Sequence, residues 1–131
     1  MLYISIIASL MLIQLFYFSF KVGGARGKFG VNAPAVSGNE NFERVYRVHQ
    51  NTQEQLIITL PAMFLFSHFF NPLIAATLGF VFIVGRFLYA AAYEKDPKSR
   101  GIGFLIGVIP TTVLMFGSLI GGIWELAKQF Q

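Results

Sequence analysis

Leu2 to Phe20 is a run of 19 residues without a charge, interrupted by Ser5, Gln14 and Ser19, and Ile102 to Trp124 is a second uncharged run. An α-helix rises about 1.5 Å per residue, so about 20 apolar residues cross the roughly 30 Å hydrocarbon core of a bilayer. Two such runs restrict the chain to an integral membrane protein. Composition agrees: 12% of residues are charged, where soluble domains carry about a quarter. A cleaved leader is the alternative for the first run. It lacks a basic start and is longer than the usual leader core, so a retained first span is expected.

The stretch Asn41 to Phe70 is divided. Leu56 to Phe70 is uncharged but only 15 residues long, too short to span alone, so a spanning helix must borrow from the first half. That half carries Glu43, Arg44, Arg47, His49, Gln50, Asn51, Gln53, Glu54 and Gln55. Such side chains are expensive inside a membrane unless they pair or face a wet cavity, which makes the segment a site hypothesis. At about 100° per residue, Glu43, Arg47, Gln50, Asn51 and Glu54 share a face, with Arg44 at its edge. That face can neutralise itself and grip a zwitterion. His49 and Gln53 point the opposite way, which suits a helix buried between neighbours.

Asn71-Pro72 and Asp96-Pro97 are both helix starts, with a capping side chain followed by proline at the first helical position. The reading is all-α: four transmembrane helices at about 2–21, 41–70, 72–94 and 97–127, in one domain over 1–131, forming an up-down bundle. Residues 21–40 are expected to form a glycine-rich loop able to fold over a site. Lys21, Arg26, Lys28, Lys95, Lys98 and Arg100 lie in the first and third connections, whereas the Asn71-Pro72 turn has no basic residue. The loops 21–40 and 94–100 are therefore expected to be cytoplasmic, with both termini on the opposite side. The ten Lys and Arg residues follow this topology and form no single patch, which argues against a nucleic-acid partner.

Several positions invite chemistry, each beside a plainer explanation. Arg86, Tyr89 and Tyr93 share one face of the third helix, aimed at the same end as Arg47 to Glu54, but tyrosines near a bilayer surface also serve as interface anchors. Lys98 and Arg100 stand at the start of the fourth helix. A cation is unfavourable there, so they either set topology or hold an anion against the helix terminus. Arg26 is a positive-inside residue on its own, His49 an interhelical hydrogen-bonder or a ligand, and His68 structural. There is no cysteine, so no disulfide or thiolate metal site exists, and any nucleophilic sulfur must come from a ligand. No acid or histidine spacing suggests a metal.

The segment FERVYRVHQNTQEQL, followed by GFVFIVGRFLYAAAYEKDPKSRG, resembles the MAPEG family, the membrane-associated proteins in eicosanoid and glutathione metabolism. Its motifs are F-E-R-V-x-R-x-x-x-N-x-x-E from Phe42 to Glu54 and Y-x-x-x-Y-x-x-x-x-x-x-R from Tyr89 to Arg100, and the likeness covers all four spans. The resemblance implies a homotrimer of four-helix subunits with a glutathione site at each subunit interface near the cytoplasmic side. It implies that Arg47, Asn51, Glu54, Tyr89 and Tyr93 hold glutathione from one subunit. Arg26 and His49 would reach in from the neighbour, and Arg100 would stabilise the thiolate. The activity implied is that of a glutathione S-transferase acting on a hydrophobic electrophile, or reducing a lipid hydroperoxide, drawn from membrane lipid, with no metal.

Two departures bear on the substrate. Gln55 stands where some leukotriene-branch members have tyrosine, and Gly27 where the leukotriene synthase has a second arginine beside the position of Arg26. Both favour a generalist transferase or peroxidase over a leukotriene-type enzyme. The competing readings are a non-enzymatic lipid-binding scaffold of the same fold, like five-lipoxygenase-activating protein, and a small transporter with the Arg47 to Glu54 face lining a water path.

Overall fold

The computed structural model describes residues 1–130. Its elements are α1 (Leu2–Phe29), α2 (Glu40–Phe69), α3 (Pro72–Lys95), a 3-10 turn at Pro97–Arg100, and α4 (Gly101–Lys128), and the described residues contain no strand. Three helical stretches, Leu2–Phe29, Pro72–Lys95 and Pro97–Lys128, are long and apolar enough to cross a membrane. The polar first half of α2 keeps that helix below the same threshold.

The largest departure from the sequence expectation is in α1, which runs to Phe29, so that 21–29 is helix and the connection shrinks to 30–39. Gly23, Gly24 and Gly27 face open space with nothing within 4 Å of a Cβ position. Each costs about 1 kcal/mol relative to alanine. The opposite side repays that, because Val22 and Ala25 are buried with Val31 against Phe42 of α2, and tertiary packing commonly outweighs propensity. The helix ends at Gly30, whose φ of 69° is left-handed and whose N–H donates to Arg26 O. Glycine adopts that conformation without a steric penalty.

The other helix starts follow their caps. Asn39 Oδ1 accepts from Asn41 N at 3.0 Å and Phe42 N at 3.1 Å, while Glu43 Oε1 accepts from Gly38 N at 2.9 Å. Asn71 Oδ1 accepts from Leu73 N at 2.8 Å ahead of Pro72. Asp96 Oδ1 accepts from Lys98 N at 3.0 Å. Here Pro97 opens a 3-10 turn before the helix proper, so Arg100 sits at the N-cap of α4 and not within its first turn.

α1 and α4 each pack on both α2 and α3. The core includes Ile4, Ala8 and Met11 of α1, Met63 and Phe66 of α2, Ala75, Ala76 and Phe82 of α3, and Leu114 of α4. The outward faces carry exposed leucine, isoleucine and phenylalanine, such as Phe16, Leu88 and Leu119. Since lipid and core are equally apolar, close contact and hydrogen bonds hold such helices together. Thr59 Oγ1 and Thr111 Oγ1 meet at 2.7 Å, Ser118 Oγ donates to Ala62 O at 3.1 Å, and Gln14 Nε2 donates to Ile83 O at 2.9 Å. Between α3 and α4 the backbones nearly touch, and a Cβ on Gly85 would lie 2.6 Å from Gly107 N.

Three of the four ion pairs among the described residues gather at one end. Lys21 Nζ pairs with both Glu94 carboxylate oxygens at 2.5 and 2.7 Å, tying α1 to α3. Arg44 Nη1 donates to Lys95 O at 3.0 Å and so caps the C-terminus of α3, while its Nη2 pairs with Glu40. Glu43 and Arg44, read from the sequence as part of the polar ligand face, are occupied in holding helix ends.

Candidate functional site

At this charged end, α2 descends from its capped start with Arg47 and Asn51 one turn apart, the spacing that places two side chains on one face. α3 arrives with Tyr89 and Tyr93, also one turn apart, their rings stacked 5.4 Å between centroids at 18°. The 3-10 turn then delivers Arg100, whose guanidinium carbon lies 5.8 Å from the centre of the Tyr93 ring. Arg47, Asn51, Tyr89 and Arg100, with Gly101 and Phe104 of α4, line one cavity of about 270 Å³. Three helices thus contribute to a space that the stack borders through Tyr89.

A second cavity of about 370 Å³ adjoins it, lined among others by Val36, Ser37, Arg47, Tyr93 and Pro97. Arg47 is a wall of both spaces. The shortened 30–39 connection borders this second cavity through Val36 and Ser37. Arg47 Nη1 lies 3.4 Å from Glu54 Oε1, and both side chains are about half exposed. A long, solvated pair of this kind is weak, so Arg47 remains able to turn to an anionic ligand.

The remaining expected residues are elsewhere. Arg26 is in the last turn of α1, where Nη1 donates to Val31 O at 3.2 Å and Ala35 O at 2.7 Å, and its guanidinium lies 4.9 Å above the Phe42 ring. Within one chain it clasps the 30–39 connection. His49 is half-buried and does not line either cavity. Glu54 touches the site only through Arg47.

One residue behind the site has a role that the helical-face pattern did not disclose. Arg86, 1% exposed, is the largest fully buried side chain. Its Nη2 donates to Asn51 Oδ1 and to Thr52 Oγ1, both at 3.0 Å, and its Nε to Thr52 Oγ1 at 3.2 Å. The guanidinium carbon sits 4.1 Å from the Tyr89 ring centre, a cation–π contact. A lone arginine in an otherwise apolar run must find polar partners on a neighbour, and the polar first half of α2 offers them. That was the available sequence signal.

A larger cleft of about 490 Å³ opens between the ends of α1, α2 and α3, lined by Lys21, Lys28, Asn41 and Glu94 among others. It holds none of the expected residues, and its Lys21 is already neutralised by Glu94. Among the described residues, no cluster of three histidine, aspartate or glutamate side chains could hold a metal ion.

In chemical terms the 270 Å³ cavity offers two guanidinium groups, an amide and the Tyr89 phenol. Those groups suit an anion with carboxylates.

The MAPEG family model matches residues 4–120. The chain is 46% identical over 110 residues to an uncharacterised protein of Synechocystis, covering 84% of this chain and 80% of the relative. It is 37% identical over 110 residues to human microsomal glutathione S-transferase 2, covering 84% of this chain and 73% of that protein. It is 33% identical over 84 residues to bovine leukotriene C4 synthase, covering 64% of this chain and 56% of that one.

Proposed function

The chain belongs to the MAPEG family, and from that premise we propose that it is a membrane-bound glutathione S-transferase. It activates the glutathione thiolate for conjugation to, or peroxide reduction of, hydrophobic electrophiles held in the bilayer. The observation that carries the reading is the convergence of Arg47, Asn51, Tyr89 and Arg100 on one cavity at the charged end of an apolar bundle. Relatives named as a microsomal glutathione S-transferase and a leukotriene C4 synthase support the substrate class.

Each residue then has a physical task. Arg47, helped by Arg26 of a neighbouring subunit, takes the tripeptide carboxylates by charge-assisted hydrogen bonds. Glu54 accepts from its ammonium group. Asn51, Tyr89 and Tyr93 fix its orientation, and His49 closes the site from the neighbour. Arg100, at the N-cap of α4, favours the thiolate over the thiol, because a cation and a helix N-terminus both stabilise an anion. The thiol proton leaves to water. In conjugation the sulfur lone pair forms the C–S bond as the electrophile's leaving group departs with its electron pair. In peroxide reduction sulfur attacks the hydroperoxide oxygen, the O–O bond breaks to release the alcohol, and a second glutathione thiol then forms the disulfide and releases water. An electrophile that already partitions into lipid meets a water-borne nucleophile at fixed separation, the proximity contribution to rate.

The site in this reading is completed by assembly. Arg26 and His49 stand away from the cavity of their own chain, which fits a homotrimer with shared sites. In the same reading α2 crosses the membrane with the other three helices, the 30–39 and 94–100 connections are cytoplasmic, and both termini lie opposite.

The test is glutathione binding to detergent-purified protein by calorimetry, with ultraviolet absorbance for the thiolate, alongside Arg100→Ala. Binding with a thiolate band that Arg100→Ala abolishes is the expected result. Binding without any thiolate band would instead indicate a lipid-binding scaffold of the same fold.

A further inference from the structure

Arg86 is a buried cation without a carboxylate. The ion pairs among the described residues are Lys21–Glu94, Arg44–Glu40, Arg47–Glu54 and Lys128–Glu125, and none involves it. Its partners are neutral: Asn51 Oδ1, Thr52 Oγ1 and the face of Tyr89. Thr52 donates its own hydroxyl proton to Val48 O at 2.8 Å, which turns its lone pairs toward the guanidinium. Burying a charge this way is costly, and a pair of aliphatic residues would join α2 to α3 more cheaply. The arrangement calls for a return beyond helix packing.

That return lies at Asn51. Arginine has donors and no acceptor, so the Asn51 atom facing it must be the carbonyl oxygen, whatever ambiguity attends amide orientation in general. With Oδ1 held at 3.0 Å by Arg86, the planar amide directs Nδ2 the other way. Asn51 is half-buried and lines the 270 Å³ cavity, and Nδ2 has no hydrogen-bond partner among the described residues. A free asparagine could present either end to a ligand. This one presents its N–H groups.

We infer that Arg86 is a positioning residue for this cavity. By holding Asn51 Oδ1 it makes the site present donors at that wall, selecting a ligand oxygen that accepts, such as a peptide carbonyl or carboxylate of glutathione. The inference rests on the glutathione reading. Beside Asn51 stand Arg47 and Arg100, which can only donate, so the wall from α2 to α4 rejects a ligand that turns an ammonium group toward it. The ammonium is left to Glu54, whose Oε1 lies 3.4 Å from Arg47 Nη1. Orientation of the tripeptide, carboxylates and carbonyls inward, follows from one buried guanidinium.

Two variants test this on detergent-purified protein by calorimetry with glutathione, by steady-state kinetics and by thermal unfolding. Asn51→Asp keeps Arg86 and supplies it with a carboxylate, so the melting temperature is maintained or raised. Both oxygens now accept, and glutathione affinity falls at least tenfold. Arg86→Gln frees the Asn51 amide to turn, so KM for glutathione rises about tenfold while kcat falls less, and Arg86→Lys recovers part of the loss. These changes correspond to losing one well-placed donor. Wild-type protein that binds glutathione while Asn51→Asp binds it equally well overturns the inference alone, as does a fall in kcat at unchanged KM in Arg86→Gln. Wild-type protein that does not bind glutathione overturns the glutathione reading and this inference with it. Should Arg86→Gln fail to fold, Asn51→Asp decides.

Discussion

A side chain at Gly103 would overlap the backbone of Tyr89, because α4 crosses α3 there with nothing between the two main chains. Gly103 lies three residues beyond Arg100, and Tyr89 is both the ring beneath Arg86 and half of the stack with Tyr93. The separation of Arg100 from the tyrosines is therefore set at this crossing. Gly103→Ala is expected to push α4 outward, destabilise the protein by about 1–3 kcal/mol and weaken the thiolate band more than glutathione binding. Gly23→Ala, where nothing lies within 4 Å, is the control and should be neutral or stabilise by up to about 1 kcal/mol. Thermal unfolding in detergent and ultraviolet absorbance separate the two.

Thr59 and Thr111 form a buried hydroxyl pair at 2.7 Å between α2 and α4. One hydroxyl gives its proton to the other, which gives its own to a local carbonyl, Thr59 to Gln55 O at 2.9 Å or Thr111 to Gly107 O at 3.1 Å, so either can donate locally when its partner is lost. Thr59→Val should cost about 0.5–1.5 kcal/mol. The double change Thr59→Val with Thr111→Val should cost little more than either alone. Strict additivity in a double-mutant cycle would show that the hydroxyls do not interact.

The Asn39 cap holds the first turn of α2, and Arg44 and Arg47 project from the turn that follows. Asn39→Ala should lose about 1 kcal/mol and loosen the site through that turn. Glutathione affinity should therefore drop modestly while the thiolate of bound glutathione is unchanged, since Arg100 is carried by another element. An effect on the thiolate as large as on affinity would contradict that separation.

Arg26 clasps Val31 and Ala35 of its own chain, and the proposed shared site asks it to serve a neighbour too. Mixed assemblies with Arg26→Ala in some subunits and Arg47→Ala in others should recover a fraction of sites, measured as residual glutathione binding. Absence of any recovery would place both arginines in one subunit's site. Arg26→Ala alone should also increase protease cleavage within 30–39, because the clasp is lost.

The four-helix plan was legible because apolar run length and the Asn71-Pro72 and Asp96-Pro97 starts are local signals. The end of α1 was not, since Gly23, Gly24 and Gly27 read as a loop until the burial of Val22 and Ala25 against Phe42 is known. That contact is non-local and leaves no periodic trace. On α2, the face calculation grouped Arg47 with Asn51 correctly but also drew in Glu43, which the chain spends on capping Gly38 N. Arg86 was visible as a member of the tyrosine face. Its bonds to Asn51 and Thr52 depend on how α3 meets α2, which no single-helix pattern contains.

Arg86 and the polar half of α2 have a consequence for how the protein is made. α3 carries a guanidinium about two-thirds of the way along an otherwise lipid-soluble helix, and an arginine at the centre of a membrane helix costs about 2.5–3.5 kcal/mol on insertion. α2 alone falls short of the apolarity needed to enter lipid. Each supplies what the other lacks, through the bonds from Arg86 to Asn51 and Thr52, and the Asn71-Pro72 turn leaves them adjacent as they are synthesised. The insertion machinery should therefore release them into the bilayer as one hairpin, so that the nascent chain acquires the foundation of the proposed site at the moment it enters the membrane.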